Sequence, residues 1–126
     1  MEAEELVICD TNILIKVIDR SNGKLITQLS QLGADHLCIS SISYSELIAG
    51  AINKSHFLKL SRELNRFNLI PINNEVDRIH RDLISRYALS HRLAIQDALI
   101  AATCLYYKMP LLTLNRKDFS LSMIWY

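Results

Sequence analysis

Short apolar runs recur along this chain of 126 residues, and they constrain its fold more than any other feature. The first is Leu-Val-Ile-Cys at residues 6–9, and similar runs fill residues 37–40, 68–72 and 111–114. Runs this short and this continuously apolar predict strands that are buried on both faces, as in a parallel sheet. Helical patterns occupy the segments between them, so strands alternate with helices and the sequence predicts an α/β fold.

The predicted helices are identified from apolar residues spaced three or four positions apart. They cover residues 12–19, 23–32, 43–51, 56–67, 75–92 and 94–107. Pro71 indicates that the third strand lies at a sheet edge, because proline cannot donate to a neighbouring strand. We expect one α/β domain over residues 1–126, with a short parallel sheet of four strands, or five if residues 123–125 form another, flanked by helices.

Composition and charge exclude several classes of protein. Half of the residues are apolar and 21% are charged, which excludes a disordered chain. The net charge of +1 indicates neither a nucleic acid nor a membrane as partner. No apolar run reaches the ~20 residues that span a bilayer, and the acidic first residues do not resemble a secretion signal. The three cysteines have no metal or redox spacing. We therefore expect a cytoplasmic protein with free thiols and no membrane association.

Four acidic residues fall where the strands of the predicted sheet end. Asp10 follows the first strand, Glu46 lies in the first turn of the helix after the second, and Asp118 comes four residues after the fourth. Asp97 begins the helix that leads into the fourth strand, and this helix should run antiparallel to that strand. Because functional sites in parallel sheets form at the carboxyl ends of the strands, we expect these four acids to converge there.

Each acid also has a structural interpretation. Asp10 can cap the following helix, and Glu46 completes the S-x-x-E pattern of a capping box that starts at Ser43. Asp97 sits where the helix dipole favours a negative charge, and Asp118 can be a surface acid near a turn. These alternatives stay open for each residue separately, but they do not explain why all four are predicted at one edge.

Clustered carboxylates repel one another and require protons or cations. No Lys or Arg lies within five residues of Asp10 or Glu46, so a divalent metal is the simplest counter-charge. Ligands that are all oxygen favour Mg²⁺ or Mn²⁺ over Zn²⁺. The sequence contains no P-loop, no dinucleotide-binding glycine motif, no zinc spacing of histidines and no G-x-S-x-G nucleophile motif.

Four segments around these acids resemble a known family. They read VICDTNI at residues 7–13, ISYSELIAG at 42–50, QDALIAA at 96–102 and LTLNRKDF at 112–119. Their order and spacing are similar to those of the signature segments of PIN-domain nucleases. In size and motif style the chain most resembles VapC-type toxins of bacterial toxin–antitoxin pairs.

The resemblance implies a metal-dependent endoribonuclease, in which a metal-activated water hydrolyses the RNA backbone. It also implies a homodimer and a cognate antitoxin that masks the site. The acids carried over as metal-binding and catalytic residues are Asp10, Glu46, Asp97 and Asp118. The residues added as groups that support the metal ligands or position the substrate are Asn12, Thr113 and Asn115.

Basic residues must supply the affinity for RNA, because an acidic site repels a polyanion. Arg116 and Lys117 lie nearest to the predicted site. A further set shares one predicted helix face: Lys59, Arg62 and Arg66. The alternative for this set is an ordinary solvated helix face.

Two predicted helices, residues 43–51 and 56–67, carry more apolar residues than one small core needs, and we expect a groove there for an antitoxin helix. The residues concerned are Leu47, Ile48, Phe57, Leu58 and Leu60. The alternative is that they close the core of the protein itself.

Two other functions also stay open for the whole chain. One is an RNA-processing nuclease without an antitoxin, and the other is an inactive module that binds RNA or protein.

Overall fold

The computed structural model describes residues 5–114, which form four strands, six α-helices and one 3₁₀ turn. The strands are β1 (Val7–Cys9), β2 (Leu37–Ser40), β3 (Asn68–Ile70) and β4 (Leu111–Leu112). The helices are α1 (Thr11–Ile18), α2 (Gly23–Leu32), α3 (Ser41–Ala49), α4 (Lys54–Leu64), α5 (Asn74–His91) and α6 (Ile95–Tyr107). The 3₁₀ turn covers Ala34–His36 and leads into β2.

The strands form one parallel sheet in the order β3-β2-β1-β4, which confirms the predicted α/β fold. β3 lies at an edge among the described strands, as Pro71 predicted. The chain adds β2 and β3 on one side of β1 and then crosses to the other side to add β4. The carboxyl ends of β1 and β4 therefore flank a topological switch point, where parallel sheets form binding crevices.

The two faces of the sheet bury different clusters of side chains, because successive residues of a strand point to opposite faces. Ile8 and Cys38 belong to the cluster covered by α5 and α6. Cys9, Leu37 and Ile39 belong to the cluster covered by α1, α2 and α4. The result is a sheet between two layers of helices, with every residue of β1 and β2 buried.

Polar side chains fix the starts of most helices. Among the six described helices, five begin at a side chain that accepts a hydrogen bond from a backbone N–H group of the first turn. These capping residues are Asp10, Asn22, Ser40, Asn53 and Asn73. The sequence therefore sets the helix starts through local side chains.

Several predicted boundaries were wrong by two or three residues. Helix α3 begins at Ser41 rather than Ser43, because Ser40 is its cap. Helix α4 covers Lys54–Leu64 rather than residues 56–67, because Asn53 caps it. Strand β3 ends at Ile70, directly before the proline, and β4 ends at Leu112. The predicted strand at residues 123–125 lies outside the described residues.

None of the helices in residues 5–114 has the length and hydrophobicity that a membrane span requires.

Candidate active site at the carboxyl edge of the sheet

Asp10 is held at the end of β1 by hydrogen bonds to both of its carboxylate oxygens. Its Oδ1 accepts from the backbone N–H of Thr11 over 2.8 Å, and its Oδ2 accepts from the hydroxyl of Thr113 over 2.7 Å. Only 5% of Asp10 is exposed. Thr113 comes directly after β4, so this pair joins the two strands that flank the switch point. The capping interpretation of Asp10 is confirmed, and capping still leaves lone pairs on both oxygens.

Glu46 lies beside Asp10 because Thr11 connects the two residues. The Thr11 hydroxyl oxygen, Oγ1, is 3.2 Å from Glu46 Oε1 and 3.0 Å from Ser43 Oγ. Helices α1 and α3 are in contact at this point, since each begins at the carboxyl end of its strand. Asp10 and Glu46, 36 positions apart in sequence, are thereby brought to one edge of the sheet.

The capping box predicted for Glu46 was wrong. The cap of α3 is Ser40, whose Oγ accepts from the backbone N–H of Ser43 over 3.2 Å, and the first turn of α3 holds no acid. Glu46 therefore lies in the second turn, beyond the reach of the helix start. Its capping interpretation is lost, and its carboxylate instead lies against Thr11.

Asp97 lies in the first turn of α6 and is half-buried. Helix α6 contacts α3, so the helix that carries Asp97 lies next to the helix that carries Glu46, as expected. From Ala98 to Cys104 the helix is mostly buried, as predicted. Its first turn is more exposed than its apolar sequence indicated, since 66% of the surface of Ile95 is exposed.

Of the remaining predicted site residues, one lies within residues 5–114 and four lie outside the described part of the chain. Asn12 is half-buried in the first turn of α1. The others lie outside the described residues: Asn115, Arg116, Lys117 and Asp118.

The charge of Asp10 acts on the buried thiols around it. Burial, followed by Cys38 and by the negative charge of Asp10, raises the pKa of Cys9 to about 12. Burial and then the same charge raise the pKa of Cys104 to about 12. Both thiols therefore keep their protons at neutral pH, and a protonated thiol is a poor nucleophile. The prediction of free cysteines is confirmed for all three.

The donor set around Asp10 and Glu46 fits a hard divalent cation. It consists of carboxylate and hydroxyl oxygens, and no basic side chain within residues 5–114 forms an ion pair with either acid. In this described part of the chain, no three His, Cys, Asp or Glu side chains lie close enough together to hold a metal. The described residues thus provide two adjacent acids, and the predicted four-acid cluster depends also on Asp97 and Asp118.

A groove of about 390 Å³ opens next to Glu46, between α1, α3 and α4. Its apolar lining includes Ile15, Ile18, Leu47 and Leu60. The predicted groove used α3 and α4 alone, and α1 is the wall that the sequence did not indicate. Leu60 is buried and closes the core, whereas other predicted groove residues, Phe57 and Leu58, are 43% and 53% exposed.

The sequence did not single out Thr11, Ser40 or Ser43 as site residues. A signal was present, because residues 40, 43 and 46 are spaced by three and lie near one another on the side of a helix that Ser40 caps. The capping-box interpretation hid this signal by placing the helix start at Ser43. Thr11 was passed over in favour of its neighbour Asn12.

Sequence comparisons with known proteins identify the family of this chain. The PIN domain family model matches residues 7–121. Ribonuclease VapC of Rickettsia bellii (strain RML369-C) is 32% identical over 123 residues, which cover 90% of this chain and 87% of that protein.

Solved structures with the same fold include a toxin–antitoxin complex from Klebsiella pneumoniae, with a TM-score of 0.75 and 28% identity over 91% of each chain. They also include VapBC2 from Rickettsia felis bound to a DNA fragment from its promoter. That chain has a TM-score of 0.81 and 22% identity, over 96% of this chain and 97% of its own, and shows the fold alone. The family match, the identity to a VapC ribonuclease and the shared fold together show that this chain belongs to the PIN-domain family and resembles its VapC-type members.

Proposed function

We propose that this chain is a Mg²⁺- or Mn²⁺-dependent endoribonuclease that acts in the cytoplasm as a VapC-type toxin, as a single nuclease domain over residues 1–126. The observation that carries the proposal is the Asp10–Glu46 pair, buried or half-buried at the switch point without a basic counter-charge in residues 5–114. Burying carboxylates without a cation costs folding free energy, and a bound divalent metal would offset their charge. The similarity to a protein named Ribonuclease VapC supports RNA as the substrate.

The metal would be held by Asp10 and Asp97, with Glu46 and Asp118 as further ligands or as groups that orient the attacking water. A bound Mg²⁺ or Mn²⁺ lowers the pKa of water and offsets charge on the phosphate. Thr113 would hold Asp10 in place through its 2.7 Å hydrogen bond. Asn12 and Asn115 would position the substrate or the acids, and Arg116 and Lys117 would contact the RNA backbone.

A neutralising antitoxin fits the groove beside Glu46. An amphipathic antitoxin helix would place apolar side chains against Ile15, Ile18 and Leu47, and an Arg or Lys beside Glu46 would neutralise the carboxylate. The similarity of the fold to a chain from a toxin–antitoxin complex supports this partner.

Helix α4 leaves Lys59 and Arg62 exposed for RNA, whereas Arg66 already pairs with Glu63 over 3.3 Å.

A homodimer is the proposed assembly. Several large apolar side chains are exposed on the isolated chain, including Ile52 at 82% and Leu89 at 98%. Size-exclusion chromatography with light scattering measures the mass directly. A strict monomer would contradict the dimer and leave the nuclease proposal unaffected.

The activity is tested with a fluorescently labelled single-stranded RNA, a DNA of the same sequence, and added Mg²⁺ or Mn²⁺. We expect cleavage of RNA only, dependent on metal and abolished by EDTA. A well-folded protein that binds RNA but does not cleave it with either metal would favour the inactive binding module.

The toxin role is tested by co-expression with the product of the gene directly upstream. We expect a small DNA-binding protein that co-purifies with this chain and blocks its cleavage of RNA. Active enzyme that forms no such complex would favour the RNA-processing nuclease instead.

A further inference from the structure

We propose that a chain of three hydroxyls holds the Glu46 carboxylate in its metal-binding orientation. The hydroxyls belong to Ser40, Ser43 and Thr11, which are therefore positioning residues that act through Glu46. The proposal rests on the proposed function, and it adds to that function the groups that set the geometry of one metal-binding acid.

The four side chains form a continuous series of hydrogen-bond contacts, each between 3.0 and 3.4 Å long. Ser40 Oγ lies 3.4 Å from Ser43 Oγ, which lies 3.0 Å from Thr11 Oγ1, which lies 3.2 Å from Glu46 Oε1. Ser40 and Ser43 are completely buried, and Thr11 and Glu46 are half-buried. The series therefore runs from the protein interior to the edge of the site.

Proton counting gives this series one direction. Each hydroxyl has a single proton to donate, and an ionised carboxylate can only accept. Thr11 must therefore donate to Glu46, so Ser43 must donate to Thr11, and Ser40 must donate to Ser43. The Oγ of Ser40 in turn accepts from the backbone N–H of Ser43 over 3.2 Å, which closes the series at the start of α3.

The direction matters because every hydroxyl in the series is satisfied only while Glu46 accepts. A buried hydroxyl without a partner is costly, so the interior favours the arrangement in which Thr11 donates to Glu46 Oε1. Glu46 also lines the groove between α1, α3 and α4. The carboxylate is therefore held from the interior and remains accessible from the groove.

Such a support has a clear value for a metal ligand. A glutamate side chain has several rotatable bonds, and fixing it costs conformational entropy each time a ligand binds. Groups that hold a ligand in advance reduce this cost, and their loss weakens metal binding by 10–100-fold in typical sites.

The test uses isosteric removal of one hydroxyl, Thr11→Val, with Thr11→Ser as the conservative variant. Thr103→Val is the matched control, because the buried hydroxyl of Thr103 donates to the carbonyl of Leu99 in its own helix, over 2.7 Å, and stands outside the series. Mn²⁺ binding is measured by electron paramagnetic resonance on metal-free protein without RNA. We expect the Mn²⁺ dissociation constant to rise roughly tenfold in Thr11→Val. In Thr11→Ser and Thr103→Val it stays close to that of the original chain.

Cleavage kinetics provide a second measurement, made at a temperature where circular dichroism shows each variant to be fully folded, so that a loss of stability does not lower the apparent kcat. With single-stranded RNA we expect kcat to fall roughly tenfold in Thr11→Val while KM is unchanged, because the hydroxyl series contacts a metal ligand and not the RNA. Ser43→Ala interrupts the series one step earlier and should act in the same direction. It carries the test if Thr11→Val does not fold.

The outcomes separate the two proposals. If the original chain neither binds Mn²⁺ nor cleaves RNA, the proposed function is wrong and the positioning role falls with it. If the original chain does both, and Thr11→Val and Ser43→Ala bind and cleave equally well, the proposed function stands and the positioning role is wrong. Equal losses in Thr103→Val and Thr11→Val would also overturn the positioning role.

Discussion

Acidic residues on the outer face of α5 and at the carboxyl edge of the sheet have different kinds of partner. On α5, Glu75, Asp77 and Asp82 each pair with an arginine one turn later, over 2.9–3.1 Å, in positions that are more than half exposed. At the edge, Asp10 and Glu46 are bound by hydroxyl and backbone groups and form no ion pair within residues 5–114.

The difference supports the proposal that the acids at the sheet edge, and not those of α5, take part in the chemistry. Exposed ion pairs along one helix contribute little, because water already solvates both charges. Partly buried carboxylates without a counter-charge cost stability, and such costs are concentrated at functional sites. Three arginines of α5 neutralise acids of their own helix, and Arg66, one of the basic residues predicted to bind RNA, pairs with Glu63.

The largest expected effect comes from neutralising an acid at the carboxyl edge. Asp10→Asn and Asp97→Asn should each slow RNA cleavage roughly a thousandfold, about 4 kcal/mol of barrier, because each removes a proposed metal ligand. Their circular dichroism spectra should match the original, and relief of repulsion can raise the Tm. Asp82→Asn on α5 is the matched control and should cleave normally. Activity of Asp97→Asn within about threefold of the original would remove Asp97 from the catalytic role.

The second effect concerns the thiols beside Asp10. The pKa values of Cys9 and Cys104 are about 12 in the folded protein, above their ordinary value of 9.0. The unfolded chain therefore loses these protons first, and the stability that they give is complete below pH 9.0 and is lost as pH rises toward 12. At pH 10 the loss is on the order of 1 kcal/mol per thiol relative to pH 7.

Urea unfolding between pH 7 and 10 measures this loss. A Cys9→Ala and Cys104→Ala variant should be less stable at pH 7 because it leaves cavities, but its unfolding free energy should fall less steeply with pH. Identical slopes would show that the thiols are not the groups responsible. The thiols of the native protein should also react slowly with alkylating reagents near neutral pH.

A smaller effect is expected from metal binding without RNA. Mg²⁺ keeps much of its hydration and binds through few carboxylates, so its affinity should be weak. A concentration ten times the dissociation constant stabilises the fold by about 1.4 kcal/mol, and this shift should disappear in Asp10→Asn. EDTA should leave the far-ultraviolet circular dichroism spectrum unchanged, since both core clusters form from apolar side chains. Unfolding on chelation would contradict this site.

The smallest effect belongs to the ion pairs of α5. Arg86→Ala removes the partner of Asp82 and should cost about 0.5 kcal/mol or less, with unchanged RNA cleavage. Thermal unfolding at low and high salt measures it, because salt should remove most of the difference. A cost of several kcal/mol would show that the two regions differ less than their exposure indicates.

The sequence by itself determined the order of elements and the position of β3. Short apolar runs and helical periodicity are local signals, and Pro71 excludes a central strand regardless of packing. The position of Asp10 after β1 was equally local, since it depends only on where the strand ends. The predicted strand ends then selected the four acids and the family motifs contained the same four, although neither spacing nor composition could supply their distances.

Only the tertiary structure decided which group the Glu46 side chain contacts. A capping box and the observed arrangement have similar local patterns, and they differ by where α3 begins, which Ser40 sets by accepting from the backbone of Ser43. The contact of α1 with α3 then places Thr11 against Glu46, and the crossover that adds β4 beside β1 places Thr113 against Asp10. These partners are 35 and 103 positions apart in sequence, so no local pattern could join them. Hydrogen bonds between distant side chains exist only after the layers have packed, which is why the sequence identified the acids and the fold supplied the groups that hold them.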